Sequence, residues 1–200
     1  MIQAVFFGDI NEVRSLIDHK VDINYQNPST RLSALHVAAF CSGNTSSSNK
    51  GKLSLNLDAK GGVGEDENDG ADEESTATTT VVSSKYSNYI EIVDLLCKSG
   101  ARVNSKDIKS LTPLHYACRS NGHEAVRILL DNQADVNSRD KNWQAPIHIC
   151  AMYNSIKCAA YILEQMLNID VSDRSGRSAL AHAAFNGNTD VNKIFSTFKI

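Results

Sequence analysis

Apolar residues recur along this chain at the i, i+3, i+4 spacing of a helix that buries one face. Val93, Leu96 and Cys97 form one such stripe, Val126, Leu129 and Leu130 a second, and Ala159, Ile162 and Leu163 a third, spaced at equal intervals. Val13, Leu16 and Ile17 repeat the pattern near the start. Side chains three and four apart share a helix face, so the spacing predicts amphipathic helices turned toward a common core. Near the end the pattern falters, because Asn192 stands where Val126 would recur.

Polar markers keep the same register. The runs "ALHVAA", "PLHYAC" and "PIHICA" carry His36, His115 and His148, and "ALAHAA" puts Ala181 in the histidine slot. The step from His115 to His148 is 33, and the step from there to Ala181 is 33 again. From His36 to His115 it is 79, one period plus an excess of 46. "ARVNSKD", "ADVNSRD" and "NIDVSD" place Asp107, Asp140 and Asp173 one period apart. Each unit is therefore a turn, a short helix, a second helix and a loop. A histidine that returns with the structural period serves that period, so His115 is expected to brace the chain. Ser33 and Thr112 supply a hydroxyl three positions before His36 and His115. Ala145 offers none to His148, and Ser178 faces Ala181, which has no imidazole. His19, His123 and His182 have no partner fixed by sequence.

A period of 33 with Thr-Pro-Leu-His opening the first helix of a unit resembles the ankyrin repeat. The resemblance implies an all-α solenoid of about five stacked helix-turn-helix units, each burying its stripe against its neighbours. A capping repeat falls at 1–30. The next, at 31–107, is split by an insertion at 42–87, and repeats at 108–140 and 141–173 follow. A partial repeat at 174–200 closes the array, and further repeats would give Phe195 and Phe198 a neighbour. In ankyrin repeats the imidazole and hydroxyl brace the turn, so Ser33, His36, Thr112, His115 and His148 are structural repeat positions.

Composition separates the insertion from the rest. Residues 65–74, "EDENDGADEE", hold seven carboxylates and no Lys or Arg. Residues 42–87 carry eight acids against four lysines, so a chain of net charge -3 leaves +1 for everything else. Rich in Ser, Thr, Gly and Asn, the segment has too little apolar surface to offset its ordering entropy, and disorder is expected. Three lookalike motifs within it fail. "EDENDG" opens on Glu65 and has Thr76 where a calcium loop needs a bidentate Glu. "GGVG" lacks the Lys-Ser/Thr of a phosphate loop, and Asn44-Thr45-Ser46 is a glycosylation sequon that matters only on a secretory route. A near-neutral body excludes the basic balance of a nucleic-acid binder. No run reaches the roughly 18 apolar residues of a membrane span, and the opening "MIQAVFFGDINEV" has no basic n-region of a signal peptide. Five scattered cysteines, odd in number and without a C-x-x-C pair, predict reduced core residues of a cytoplasmic or nuclear protein. No metal or cofactor is expected.

Catalysis is not expected either. No serine lies in a G-x-S-x-G turn, no carboxylate pair stands in a setting that splits two pKa values, and the repeat absorbs most ordered residues. A solenoid offers instead a concave surface of turn tips and first helices. By register, Lys109, Lys141, Asn142, Trp143, Arg174 and Arg177 fall on or beside tips. Arg119, Met152, Tyr153 and Phe185 lie on the exposed side of first helices. Trp143, the single tryptophan, stands where many ankyrin repeats have glycine. These ten residues are the protein-binding candidates, and Trp, Tyr and Arg among them are the types that dominate hot spots.

One resemblance is narrower. "VDLLCKSGARVNSKD", "ADVNSRDKNWQAPIHICA", "NIDVSDRSGRSALAHAAFNG" and the opening "IQAVFFGDINEVRSLI" are similar to the N-terminal repeats of the ankyrin-repeat regulatory subunits of serine/threonine protein phosphatase 6. It implies a non-catalytic scaffold with protein partners, among them phosphatase catalytic and regulatory subunits, and no nucleic acid or small-molecule substrate. The acidic insertion is foreign to that pattern, and "VNKIFSTFKI" replaces a continuation into further repeats. The other expectation is an ankyrin adaptor for a different target, a membrane-cytoskeleton link or a transcription-factor inhibitor. A hydrolase is the remaining reading, from a different class.

Overall fold

Apolar stripes at the predicted positions turn inward and set the architecture. The computed structural model describes residues 1–43, 77–168 and 170–197, with side chains of the second segment from Ser87 onward. Ten helices lie among them: α1 (Ile2–Phe7), α2 (Ile10–Asp18), α3 (Ala34–Cys41), α4 (Ala77–Lys98), α5 (Pro113–Arg119), α6 (His123–Asp131), α7 (Pro146–Tyr153), α8 (Ile156–Gln165), α9 (Ala179–Phe185) and α10 (Thr189–Thr197). Pairing among the described residues that is strand-like is limited to isolated bridges at Gln26–Ser33 and Ser172–Ser178. None of the described helices is long and apolar enough to cross a membrane.

The odd-numbered helices pack one on the next as one layer, and the even-numbered helices form a second. Ile92, Val93 and Leu96 of α4, Val126 and Leu129 of α6, and Ala159 and Ile162 of α8 are fully buried between the layers. Small residues make the close stacking of first helices possible: Ala38 and Ala39, Ala117, and Ala151 have no exposed surface. Pro113 and Pro146 start α5 and α7, where a missing N–H costs nothing and the fixed φ already suits a helix.

Two sets of polar bonds tie unit to unit. At the tips, the N–H groups of Ile108, Lys141 and Arg174 donate to the carbonyls of Thr30, Lys109 and Asn142, at 3.0, 3.1 and 2.9 Å. The donors advance by one period at each rung. The acceptors do the same after a first step, from Thr30 to Lys109, that recovers the register across the insertion. On the loop side, Asn24 donates to the Gly100 carbonyl and accepts from the Arg102 N–H. Asn104 does the same with Gln133 and Asp135.

Three expectations change. Residues 77–87, assigned to the insertion, are helical as the start of α4. Once a helix is nucleated, each added residue gains a hydrogen bond for little entropy, so the ordered stripe at 92–97 extends backward through an unpromising composition. Ser42 and Gly43, also assigned to the insertion, belong to the stack. Ser42 is buried with its Oγ donating to the Ala39 carbonyl at 2.8 Å. A Cβ on Gly43 would run into the Ser120 carbonyl oxygen, so only glycine allows that approach. The acidic run at 65–74 and the lookalike motifs lie outside the described residues. Phe195, expected to want a further neighbour, is already fully buried, because α10 folds its Val191 and Phe195 face onto α8 and α9. Phe198 lies outside the described residues.

Candidate functional site

The recurring histidines are buried braces. Ser33 precedes α3 in extended conformation, and its backbone N–H donates to His36 Nδ1 at 3.1 Å while its Oγ lies 2.8 Å from the same nitrogen. The other ring nitrogen, Nε2, then carries the proton and donates to the Leu111 carbonyl of the next unit at 3.1 Å. Thr112 and His115 repeat this arrangement at the same distances, with Nε2 reaching the Gln144 carbonyl. Burial is the first cause that lowers both imidazoles, to about 4, against the small upward pull of the accepting carbonyls. A neutral ring with both nitrogens committed has nothing left for proton transfer.

The brace thins toward the C-terminus. His148 keeps only the backbone half, the Ala145 N–H at 3.1 Å, and its buried Nε2 has no hydrogen-bond partner among the described residues. In the last unit Ser178 Oγ accepts from the Ala181 N–H at 3.3 Å, with no imidazole to complete the pair.

A second recurring element is the carboxylate inside each tip. Oδ1 of Asp107, Asp140 and Asp173 accepts two backbone N–H groups of its own turn at 2.7 to 2.9 Å, which fixes the tip shape. Oδ2 is treated differently in each unit. Tyr116 donates its hydroxyl to Asp107 Oδ2 at 2.9 Å. Two periods on, His182 Nε2 lies 2.9 Å from Asp173 Oδ2, and the Arg177 guanidinium lies 3.3 Å from it. His182, left without a partner by sequence, is thus held by a buried carboxylate. Burial alone would raise the Asp173 carboxyl. The Arg177 N–H, the His182 ring, the Ser175 N–H and the Arg177 charge together outweigh it and hold the group well below the usual carboxylate range. In the middle unit the equivalent position is Ile149, which has no donor.

Between these tips and the first helices α5 and α7 opens a groove of about 500 Å³. Lys109, Lys141 and Asn142 line it from the tips, and Arg119, Met152 and Tyr153 from the helices. The Arg119 guanidinium sits 5.5 Å from the centre of the Tyr153 ring, within cation–π range. The groove thus gathers six of the ten binding candidates. Trp143, Arg174, Arg177 and Phe185 lie outside its lining. Arg177 is engaged with Asp173, whereas Phe185 is 84% exposed on α9.

Trp143 is 61% exposed at its tip, so it does not bury itself against a neighbouring unit. Its φ is 62°, in the left-handed region that this tip position takes in the other units too, at 57° in Arg31, 63° in Ser110 and 76° in Gly176. A bulky residue with positive φ is strained, and an exposed ring recovers little of that cost by packing.

Sequence reasoning did not place Leu111, Tyr116, Asp140 and Ile149 at a binding site, yet all four line the groove. A signal was available in the one-period spacing of the aspartates, but the groups that answer them are of different chemical types. Among the described residues there is no cluster of three or more His, Cys, Asp or Glu able to hold a metal ion. All five cysteines are free thiols.

No curated protein gives a significant match to the sequence. The family model described as ankyrin repeats (3 copies) matches residues 47–140 and 134–197. With that match across most of its length and with five stacked helix pairs, the chain belongs to the ankyrin-repeat family.

Proposed function

We propose that this chain is a non-catalytic scaffold of the cytoplasm or nucleus, a regulatory ankyrin subunit of a protein phosphatase 6-type complex. Ankyrin repeats are protein–protein interaction modules, and the observation that carries a docking role is the groove itself. Three cations, Lys109, Arg119 and Lys141, converge there beside aromatic and thioether side chains, on a body otherwise close to neutral. Such a surface attracts an acidic partner segment and anchors it through desolvated aromatic contacts. Trp143 supports the same reading, since it sets a large exposed aromatic ring at the tip beside Lys141 and Asn142, the residue type that anchors binding hot spots. The phosphatase assignment rests on the similarity of the segments around "RDKNWQ" and "NIDVSDRSGR" to that family's N-terminal repeats.

Titration calorimetry of the purified chain against phosphatase 6 catalytic and regulatory subunits tests both levels. Binding that weakens by about 2 kcal/mol on Trp143→Ala, and falls with salt in Lys141→Glu, agrees with a hot spot beside a basic groove. Absence of binding to any phosphatase subunit refutes the phosphatase assignment and leaves an ankyrin adaptor for another target.

A further inference from the structure

The tip carboxylates are equivalent by register but not by environment. Asp107 Oδ2 is satisfied by Tyr116, and Asp173 Oδ2 by His182. Asp140, at 9% exposure, uses Oδ1 for the Asn142 and Gln144 N–H groups, and no described residue donates to its Oδ2. Position 149, where the donor would stand, is isoleucine. The groove opens at this unit, with Asp140 and Ile149 both in its lining. With Oδ1 committed to the tip and Oδ2 free of any described donor, the carboxylate on the groove wall can accept a hydrogen bond from a ligand, and an acceptor that is charged makes that bond a strong one.

Charge narrows the choice of donor. Lys109, Arg119 and Lys141 share the groove, so a cationic donor from a partner would meet three like charges. A neutral hydroxyl on an otherwise acidic segment suits both the floor and the rim. The chain already contains the required geometry one period earlier, where the Tyr116 phenol reaches Asp107 at 2.9 Å. We infer that the groove between α5 and α7 receives a tyrosine of an acidic partner peptide, whose ring lies against Ile149 and Met152 and whose hydroxyl donates to Asp140 Oδ2. The inference rests on the docking role proposed above and names the chemistry of the docked segment.

Fluorescence anisotropy with two labelled synthetic peptides tests it, one carrying a tyrosine flanked by glutamates and the other with phenylalanine in its place. The tyrosine peptide should bind the intact chain roughly tenfold more tightly, as expected for a hydrogen bond to a charged acceptor. Ile149→Tyr should abolish that difference, because the new phenol satisfies Asp140 and occupies the slot. Asp140→Asn keeps an oxygen for the tip N–H groups, and it should shrink the difference to roughly threefold or less, since a neutral amide is a weaker partner than a carboxylate. Circular dichroism checks that each variant is folded, and Asp140→Asn serves if Ile149→Tyr is not. Equal affinity of the two peptides for the intact chain overturns the inference, as does a difference that persists in Asp140→Asn. Equal binding that is lost in Lys109→Glu with Lys141→Glu removes the role of Asp140 but leaves the basic docking groove standing. Failure of both peptides to bind also overturns it, while the scaffold reading is decided separately by the phosphatase titration.

Discussion

Lowering the pH from 7 to 4.5 should destabilise this fold before any carboxylate is involved. His36 and His115 are held at about 4 in the fold, against 6.5 for a free imidazole. The geometry gives the reason independently, since protonating Nδ1 would set a new N–H against the backbone N–H of Ser33 or Thr112. Because the folded value is depressed, the unfolded chain binds more protons throughout the interval between 4 and 6.5. Stability is therefore full above pH 6.5, falls as the pH descends, and levels off below 4. Integrating the proton difference down to pH 4.5 gives on the order of 2 to 3 kcal/mol per ring, or roughly 5 kcal/mol for the two. That is comparable with the whole stability of many small domains. His148, lowered by burial first and then by Arg139 and His182, adds in the same direction. Asp173 enters only at lower pH, since its unfolded value is 3.8. Urea unfolding at pH 7 and 4.5, followed by circular dichroism, measures the loss. In the double variant His36→Gln with His115→Gln the neutral-pH stability should be lower and its pH slope much shallower. An unchanged midpoint in the parent protein, or the same slope in the double variant, would refute the reasoning.

Other outcomes follow from single positions. Trp143→Gly should raise stability by about 1 kcal/mol by relieving the left-handed backbone, while weakening partner capture; Trp143→Ala should weaken capture without that gain. Chemical denaturation and calorimetry on the same samples separate the two effects. Gly43→Ala should cost about 3 kcal/mol, because its Cβ would meet the Ser120 backbone, and a thermal melt matching the parent's would contradict that contact. Asn192→Val should stabilise α10 by about 1 kcal/mol, since the Asn192 Oδ1 is buried with no partner among the described residues. Amide exchange should be faster across α9 and α10 than across α5 and α6, and slower in α10 of the variant than of the parent.

The helical stripes and histidine braces were legible because they repeat the same residue types at one spacing. A period of 33 located the paired helices of the stack and the turn tips, and with them six residues of the groove. What escaped was written in non-repeating chemistry. Tyr116 and His182 do one job with different groups, so no pattern flags Ile149 as the exception between them. The inward turn of Phe195 depends on how α10 lies on α8 and α9, which spacing alone does not determine. The strain at Trp143 is a property of φ, visible in sequence only as tryptophan in a glycine slot. Residues 77–87 were hidden for another reason, since helix there depends on propagation from ordered neighbours instead of its own composition.

The tip ladder has a consequence for the order of assembly. Its rungs from Lys141 to Lys109 and from Arg174 to Asn142 each close a loop of one repeat, but the rung from Ile108 to Thr30 closes one more than twice as long. Closing a loop costs entropy that grows with the logarithm of its length, so the extra chain adds only about 1 kcal/mol to the barrier of that step. The contacts of α5 through α8 are local in sequence, whereas those joining α1 to α3 with the rest form one long-range joint. Folding should therefore begin in the contiguous central units and spread outward, with the N-terminal helices docking last on a template already formed. Substitutions in α6 should slow refolding, whereas those in α2 should chiefly speed unfolding.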